Sequence, residues 1–209
     1  MDDLFDVRLP DASWLAACHA CKCNRDGDAW APPDWTPANC PYTPQTHPSA
    51  ASTVARVTDH RPTFHMLNSG VFMFHPSTPL WERVLSFFHT SPLLAGFMFP
   101  DQNFLDEFFR GRWLSLPWVF NALKTSRYWH PDLWRDEEVR CVHYIVDKPW
   151  AKRVGADGVA GYMGRDGGTH TWWWEEYAGW EEGMERVKGG AEVLGVVSGL
   201  VAPLEGEKG

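Results

Sequence analysis

The run Phe64-His65-Met66-Leu67-Asn68-Ser69-Gly70-Val71-Phe72-Met73-Phe74-His75-Pro76 constrains the fold of this chain more than any other stretch. Its apolar residues fall on both sides of the alternation, the pattern of a strand buried on two faces in the middle of an α/β sheet. A glycine inside such a strand weakens it by entropy and marks a bulge or the close approach of another group. Asn68 and Ser69 beside Gly70 put an amide and a hydroxyl where a polar ligand could reach them. Equally, they can serve only to satisfy backbone groups at a bulged core strand.

The flanking segments are expected to complete one α/β domain over residues 1–154. Residues 1–17 read as a connection and a short helical turn around Trp14, Leu15 and Ala16. Residues 18–62, rich in Pro, Asp, Asn, Thr and Cys, form a long insertion without regular periodicity, and Asp26-Gly27-Asp28 within it is a surface turn. After the strand, Ser77 or Thr78 caps a helix with Pro79 just inside it. Leu80, Trp81, Val84, Leu85 and Phe88 give that helix a core face. Asp101 can cap a second helix, Gln102–Arg110, ended by Gly111. Trp113–Leu116 reads as a strand halted by Pro117, and Val139–Tyr144 as another. Residues 155–170 are a glycine-rich linker. Residues 171–188 form a tryptophan-rich helix whose face carries Trp173, Tyr177, Trp180, Met184 and Val187, expected to dock on the domain; residues 189–209 are a flexible tail.

Composition narrows the function classes. A net charge of −8 argues against nucleic acid, which needs a basic footprint. No apolar run approaches the ~20 residues of a membrane helix. The start Met1-Asp2-Asp3-Leu4-Phe5 is not a signal peptide, so a cytoplasmic location is expected. The 13 tryptophans can both fill a core and line a sugar-sized cleft. Five cysteines cannot all pair within the chain. Four of them, Cys18, Cys21, Cys23 and Cys40, could hold a structural Zn²⁺, with His19 as a substitute ligand, could include a disulfide, or could remain free thiols.

Three places offer reactive groups at element ends: Asn68-Ser69, Asp101-Gln102, and His143 with Lys148. Ligands of open α/β sheets bind outside the carboxyl ends of strands. His143 could offer a neutral imidazole to a divalent metal. Lys148 lies at most ~16 Å further along an extended chain, so a curled loop could bring both onto one metal-bound diphosphate. The plainer alternatives are a hydrogen-bonded strand-end histidine, a helix-capping aspartate and a solvated lysine.

The order of these motifs, Asn68-Ser69-Gly70, Asp101-Gln102, Leu116-Pro117 with Phe120-Asn121, and His143 with Lys148-Pro149-Trp150, resembles glycosyltransferase family 8, nearest its glycogenin and galactinol-synthase-like members. The Cys-rich insertion and the Trp172-Trp173-Trp174 helix resemble the fungal-type members. The resemblance implies retaining transfer of a hexose from a UDP-sugar to a hydroxyl acceptor (an inositol, a glycan or a protein tyrosine) on a GT-A fold with Mn²⁺. By that reading His143 is a Mn²⁺ ligand and Lys148 contacts the diphosphate. Asn68, Ser69 and Gly70 bind the donor sugar, and Asp101 and Gln102 sit beside the anomeric carbon and acceptor as catalytic residues. Asn121 positions a loop.

Two departures are local: Phe120 stands where the family has tyrosine, and Asn103 where glycine is common. A third is larger. The family's Asp-x-Asp metal motif precedes a segment like Asp2-Asp3-Leu4-Phe5, so this chain is expected to be the C-terminal part of the fold, without the nucleotide-binding half and with weak or no activity alone. The competing reading is a non-catalytic interaction module with a zinc-stabilised cysteine loop. A metal hydrolase using His143 and Asp101 is weaker, for want of a His-Glu-x-x-His or comparable spacing.

Overall fold

Leu15, Ala16, Ala17 and Cys18 are wholly shielded from solvent, because they form β1 (Leu15–His19), an inner strand of a four-stranded sheet ordered β2-β4-β1-β3. The computed structural model describes residues 2–47 and 54–203. They divide into a first unit, Met1–Ala122 with Trp129–Cys141, and a second, Leu123–Tyr128 with Val142–Gly209. Residues 48–53 of the expected insertion and 204–209 of the expected tail lie outside the described residues.

In the first unit β1 runs parallel to β4 (Trp113–Ser115) and antiparallel to β3 (Leu67–Phe74), while β2 (Ala55–Arg56) pairs antiparallel with β4. The architecture is a mixed α/β one with a mixed sheet. β1 replaces the helical turn expected around Trp14–Ala16: a five-residue apolar run carries too little periodicity to separate strand from helix. The expected insertion therefore begins inside a strand, since Cys18 and His19 belong to β1. β3 is likewise not the middle strand. It stands at the end of the sheet order, and beyond Leu67 its residues alternate between half-buried and exposed, with Phe72 and Phe74 about two-fifths exposed. Its apolar residues on both sides reflect one face on the core and one aromatic face turned outward, not burial on two faces.

The core gathers Leu15 and Ala17 of β1, Leu67 of β3, Trp113 of β4, and Leu80, Phe108 and Phe109. Helix α1 (Thr78–Thr90) starts as expected, with the Ser77 hydroxyl accepting the Leu80 N–H at 3.3 Å. Its inward stripe is Leu80, Val84 and Phe87, which meets Phe104 and Phe108 edge-on. Trp81 and Phe88, expected in the core, are more than half exposed. A helix this apolar offers two stripes at the same spacing, and the aromatic contacts of Phe87 decide between them. Helix α2 (Pro100–Phe108) is not capped by Asp101, which lies within its first turn. Asn103 instead accepts the Phe99 N–H on its side-chain oxygen at 2.9 Å.

In the second unit the expected Val139–Tyr144 strand shrinks to β6 (Val142–His143), beside which the Lys124 N–H donates to the His143 carbonyl at 3.2 Å. Helix α4 (Gly167–Glu185) begins inside the stretch expected to be linker. Trp173 stacks on Tyr177 with centroids 5.2 Å apart, Tyr177 meets Trp180, and the Arg153 guanidinium lies over Trp174 at 3.5 Å. The expected tail is helical in its described part, as α5 (Gly190–Val197). Among the described residues no helix is long and apolar enough to cross a membrane.

Candidate functional site

At the junction of β3 and α2 the first unit brings five polar side chains within hydrogen-bonding distance. The Asn68 side-chain oxygen accepts from Asn121 Nδ2 at 2.7 Å and from the Gly70 N–H at 2.9 Å. Asn68 Nδ2 in turn donates to Gln102 Oε1 at 3.3 Å. One residue along, the Ser69 hydroxyl donates to Asp101 Oδ2 at 2.5 Å. The alternation of a strand turns Asn68 and Ser69 to opposite sides. Asn68 therefore meets the buried amides of Gln102 and Asn121, whereas Ser69 meets the exposed carboxylate of Asp101. The Gly70 N–H is turned onto its neighbour's amide, so the triplet closes on itself in a tight local bend.

Beneath this group lies a residue that spacing did not suggest. The Asp106 side chain, on α2, is 2% exposed and accepts the Leu67 N–H at 2.6 Å, tying the start of β3 to the helix. Burial lifts its pKa to about 7, against the pull of the Leu67 N–H and the Lys22 cation.

His143 and Lys148 belong to the second unit. His143 Nδ1 is shielded and has no hydrogen-bond partner among the described residues. Burial first, and then the nearby Lys148 cation, hold the His143 pKa below its usual value, so the imidazole is biased to the neutral form a metal would need. The Lys148 ammonium donates to the Tyr144 carbonyl, folding the loop back on itself. Fully buried in the same unit is Lys124. Its Nζ lies 2.5 Å from Asp166 Oδ2, 3.2 Å from His170 Nε2 and 2.6 Å from the Asp147 carbonyl.

The cysteines separate into two environments. Cys21, Cys23 and Cys40 share a cluster in the first unit with His130. Cys18 does not join it, which corrects its assignment as a zinc ligand. Its Sγ donates to the Pro117 carbonyl at 3.2 Å from a strand whose alternation turns it elsewhere, and burial pushes its thiol pKa up. His19 is not a substitute ligand either, because its ring sits among Tyr42, Phe64 and Trp113. Within the cluster, hydrogen bonds from Cys21 and then Cys23 lower the Cys40 pKa, and the same contacts raise that of Cys21. His130 was not legible as a ligand: 90 residues separate it from Cys40, so no motif spacing points to it.

No family model and no solved structure matches the chain. It is 33% identical over 85 residues, 40% of its length, to galactinol synthase 2 of Ajuga reptans, of which the match covers 28%. It is 27% identical over 153 residues, 72% of its length, to galactinol synthase 3 of Arabidopsis thaliana, covering 42% of that protein. The chain thus spans between about a quarter and two-fifths of the length of the curated relatives it matches. By sequence the chain is similar to galactinol synthases, and that similarity supports a relationship to the glycosyltransferases of family 8.

Proposed function

We propose that this chain serves hexosyl transfer: a hexose moves from a UDP-sugar to a hydroxyl acceptor with retention at the anomeric carbon. The observation that carries the reading is the hydrogen-bonded group Asn121–Asn68–Gln102 with Ser69–Asp101 beside it, in a chain similar to galactinol synthases. Sugar hydroxyls need donors and acceptors held in fixed directions, and amides locked by one another are already oriented before the ligand arrives. Asn68 and Ser69, with the Gly70 turn, take the donor sugar. Asp101, exposed at the first turn of α2, and Gln102 stand by the reacting carbon and the acceptor. Lys148 offsets the charge that grows on the departing diphosphate.

Mn²⁺ is the metal the family resemblance implies. His143 is a suitable single ligand, but among the described residues no set of three His, Cys, Asp or Glu side chains gathers around it. One imidazole does not hold Mn²⁺ against water, so these residues alone do not fit the ion and no step here runs through it.

The test incubates the protein with UDP-hexoses, Mn²⁺ and an inositol, glycan or tyrosine-peptide acceptor, and looks for a glycosylated product, galactinol among them. Asp101→Asn should lower the yield at least about 100-fold if the carboxylate acts at the reacting centre. No product, or an unchanged yield in both Asp101→Asn and Gln102→Ala, overturns the reading. The second reading, a non-catalytic interaction module with a metal-stabilised loop, draws support from the Cys21, Cys23, Cys40 and His130 cluster. It expects a folded chain that neither binds nor turns over a sugar nucleotide.

A further inference from the structure

Cys21 Sγ lies 3.5 Å from Cys23 Sγ and 3.8 Å from Cys40 Sγ, and His130 Nε2 lies 3.2 Å from Cys21 Sγ and 3.8 Å from Cys40 Sγ. All four ligand atoms fall within 4.8 Å of one another. We propose that these residues form a closed, tetrahedral Cys₃His zinc site that fixes the 21–47 segment to the 129–134 segment.

The distances match the edges of such a site. With Zn–S of about 2.3 Å and Zn–N of about 2.0 Å, a regular tetrahedron has S···S edges of about 3.8 Å and S···N edges of about 3.5 Å. A disulfide needs sulfurs about 2.05 Å apart, and all five cysteines are free. Three thiols and an imidazole make a poor set without a cation: each thiol is a weak donor and a weak acceptor, while burial removes the water that would otherwise solvate them. Cys23, Cys40 and His130 are 4% exposed or less. Zinc is the metal suited to that donor set, because soft thiolates with one imidazole in tetrahedral array exclude the hard cations Mg²⁺ and Ca²⁺. Four protein ligands leave no open position, so the site is structural and does no hydrolytic chemistry.

The surroundings explain why a metal is needed there. Residues 20–47 run through turns and one short helical turn, with no strand to tie them down. Their non-covalent ties to the later segment are sparse: the Trp129 indole N–H donates to Asp26 at 2.9 Å, the His47 N–H to the Asp132 carbonyl at 3.0 Å, and His47 pairs with Glu138 at 2.5 Å. A zinc ion bridging residues 21 and 130 closes a long loop and adds its binding free energy directly to folding. Three thiolates and Zn²⁺ leave one negative charge. The Lys22 ammonium, held 3.7 Å over the Trp35 ring, stands between two of the ligands in sequence to offset it.

The experiment uses the full chain purified without chelator or immobilised metal. Elemental analysis should find one zinc per chain. Replacement by Co²⁺ should give the intense d–d bands of tetrahedral cobalt with thiolate-to-cobalt charge transfer. Cys18→Ser should keep the zinc, His130→Ala and Cys40→Ser should lose it, and His130→Cys should restore it as a four-thiolate site. That rescue separates loss of a ligand from loss of fold. Alkylation of the wild-type chain should spare three cysteines until a chelator is added, a readout that needs no variant. Trace zinc with no tetrahedral cobalt spectrum in a folded chain, or retention by His130→Ala with loss in Cys18→Ser, overturns the proposal.

Discussion

Lys124 Nζ and Asp166 Oδ2 stand 2.5 Å apart with neither side chain open to solvent. Asp166 Oδ2 also accepts the Tyr162 N–H at 2.6 Å, and Lys124 donates to the Asp147 carbonyl at 2.6 Å, so both charges carry further hydrogen bonds. Such a pair gives little net stability against an apolar replacement, but removing one member strands the other. Lys124→Met should therefore cost about 3–5 kcal/mol in urea unfolding. Lys124→Met combined with Asp166→Leu should cost less than the sum of the two single changes. Additive costs would show that the two charges do not depend on each other.

That pair was invisible in the sequence for a physical reason. Asp166 sits in a glycine-rich stretch that reads as linker, and nothing in a lysine's position along a chain announces burial. The same limit hid β1, whose Leu-Ala-Ala-Cys run is too short for a period, and His130, whose cluster partners are far away in sequence. The helices were legible because their signals are local: Ser77 before Pro79, and aromatic residues at three- and four-residue spacing. Those signals did not say which stripe of α1 faces inward, since that depends on Phe104 and Phe108 arriving from another helix. The proximity of Asn68 and Ser69 to Gln102 and Asp101 was anticipated from the order of motifs, not from any property of the four residues alone.

The two polar residues of the β3 triplet should respond differently to truncation. Asn68→Ala removes the acceptor of Asn121 Nδ2 and the donor to Gln102, both buried. Each orphaned group costs about 1–3 kcal/mol. Ser69→Ala breaks one bond to an exposed carboxylate that water can solvate, and surface losses of this kind stay near about 0.5 kcal/mol. Unfolding midpoints that fall equally in the two variants would show that the triplet is not divided in this way.

Asp106 makes stability depend on pH. Its folded pKa of about 7 lies above the unfolded value of 3.8, with burial as the main cause and the Leu67 N–H, Lys22, Asn103 and Arg110 opposing it. The folded chain therefore binds a proton that the unfolded chain has released. Asp106 contributes most below about pH 4, and that contribution is lost as pH rises through about 7. Asp106→Asn keeps an acceptor for the Leu67 N–H and carries no proton to lose. Urea midpoints measured from pH 5 to pH 8 should shift steadily in favour of the asparagine variant. A constant difference across that range would remove Asp106 as the source.

Two glycines of α4 give a test of its packing that needs no assay of function. A Cβ on Gly167, the first residue of the helix, would fall 1.8 Å from the Gly158 carbonyl oxygen. Backbone cannot yield as a flexible side chain does, so Gly167→Ala should destabilise by at least about 1–3 kcal/mol. Gly179, in the exposed middle of the same helix, has nothing within 4 Å of its added Cβ. There the only change is the lost freedom of the unfolded chain, and Gly179→Ala should stabilise by about 0.5–1 kcal/mol. Opposite signs within one helix are the expected outcome, because the close approach at Gly167 is what lets α4 begin against the 155–161 turn. Matching signs in thermal unfolding of the two variants would mean that the helix starts elsewhere.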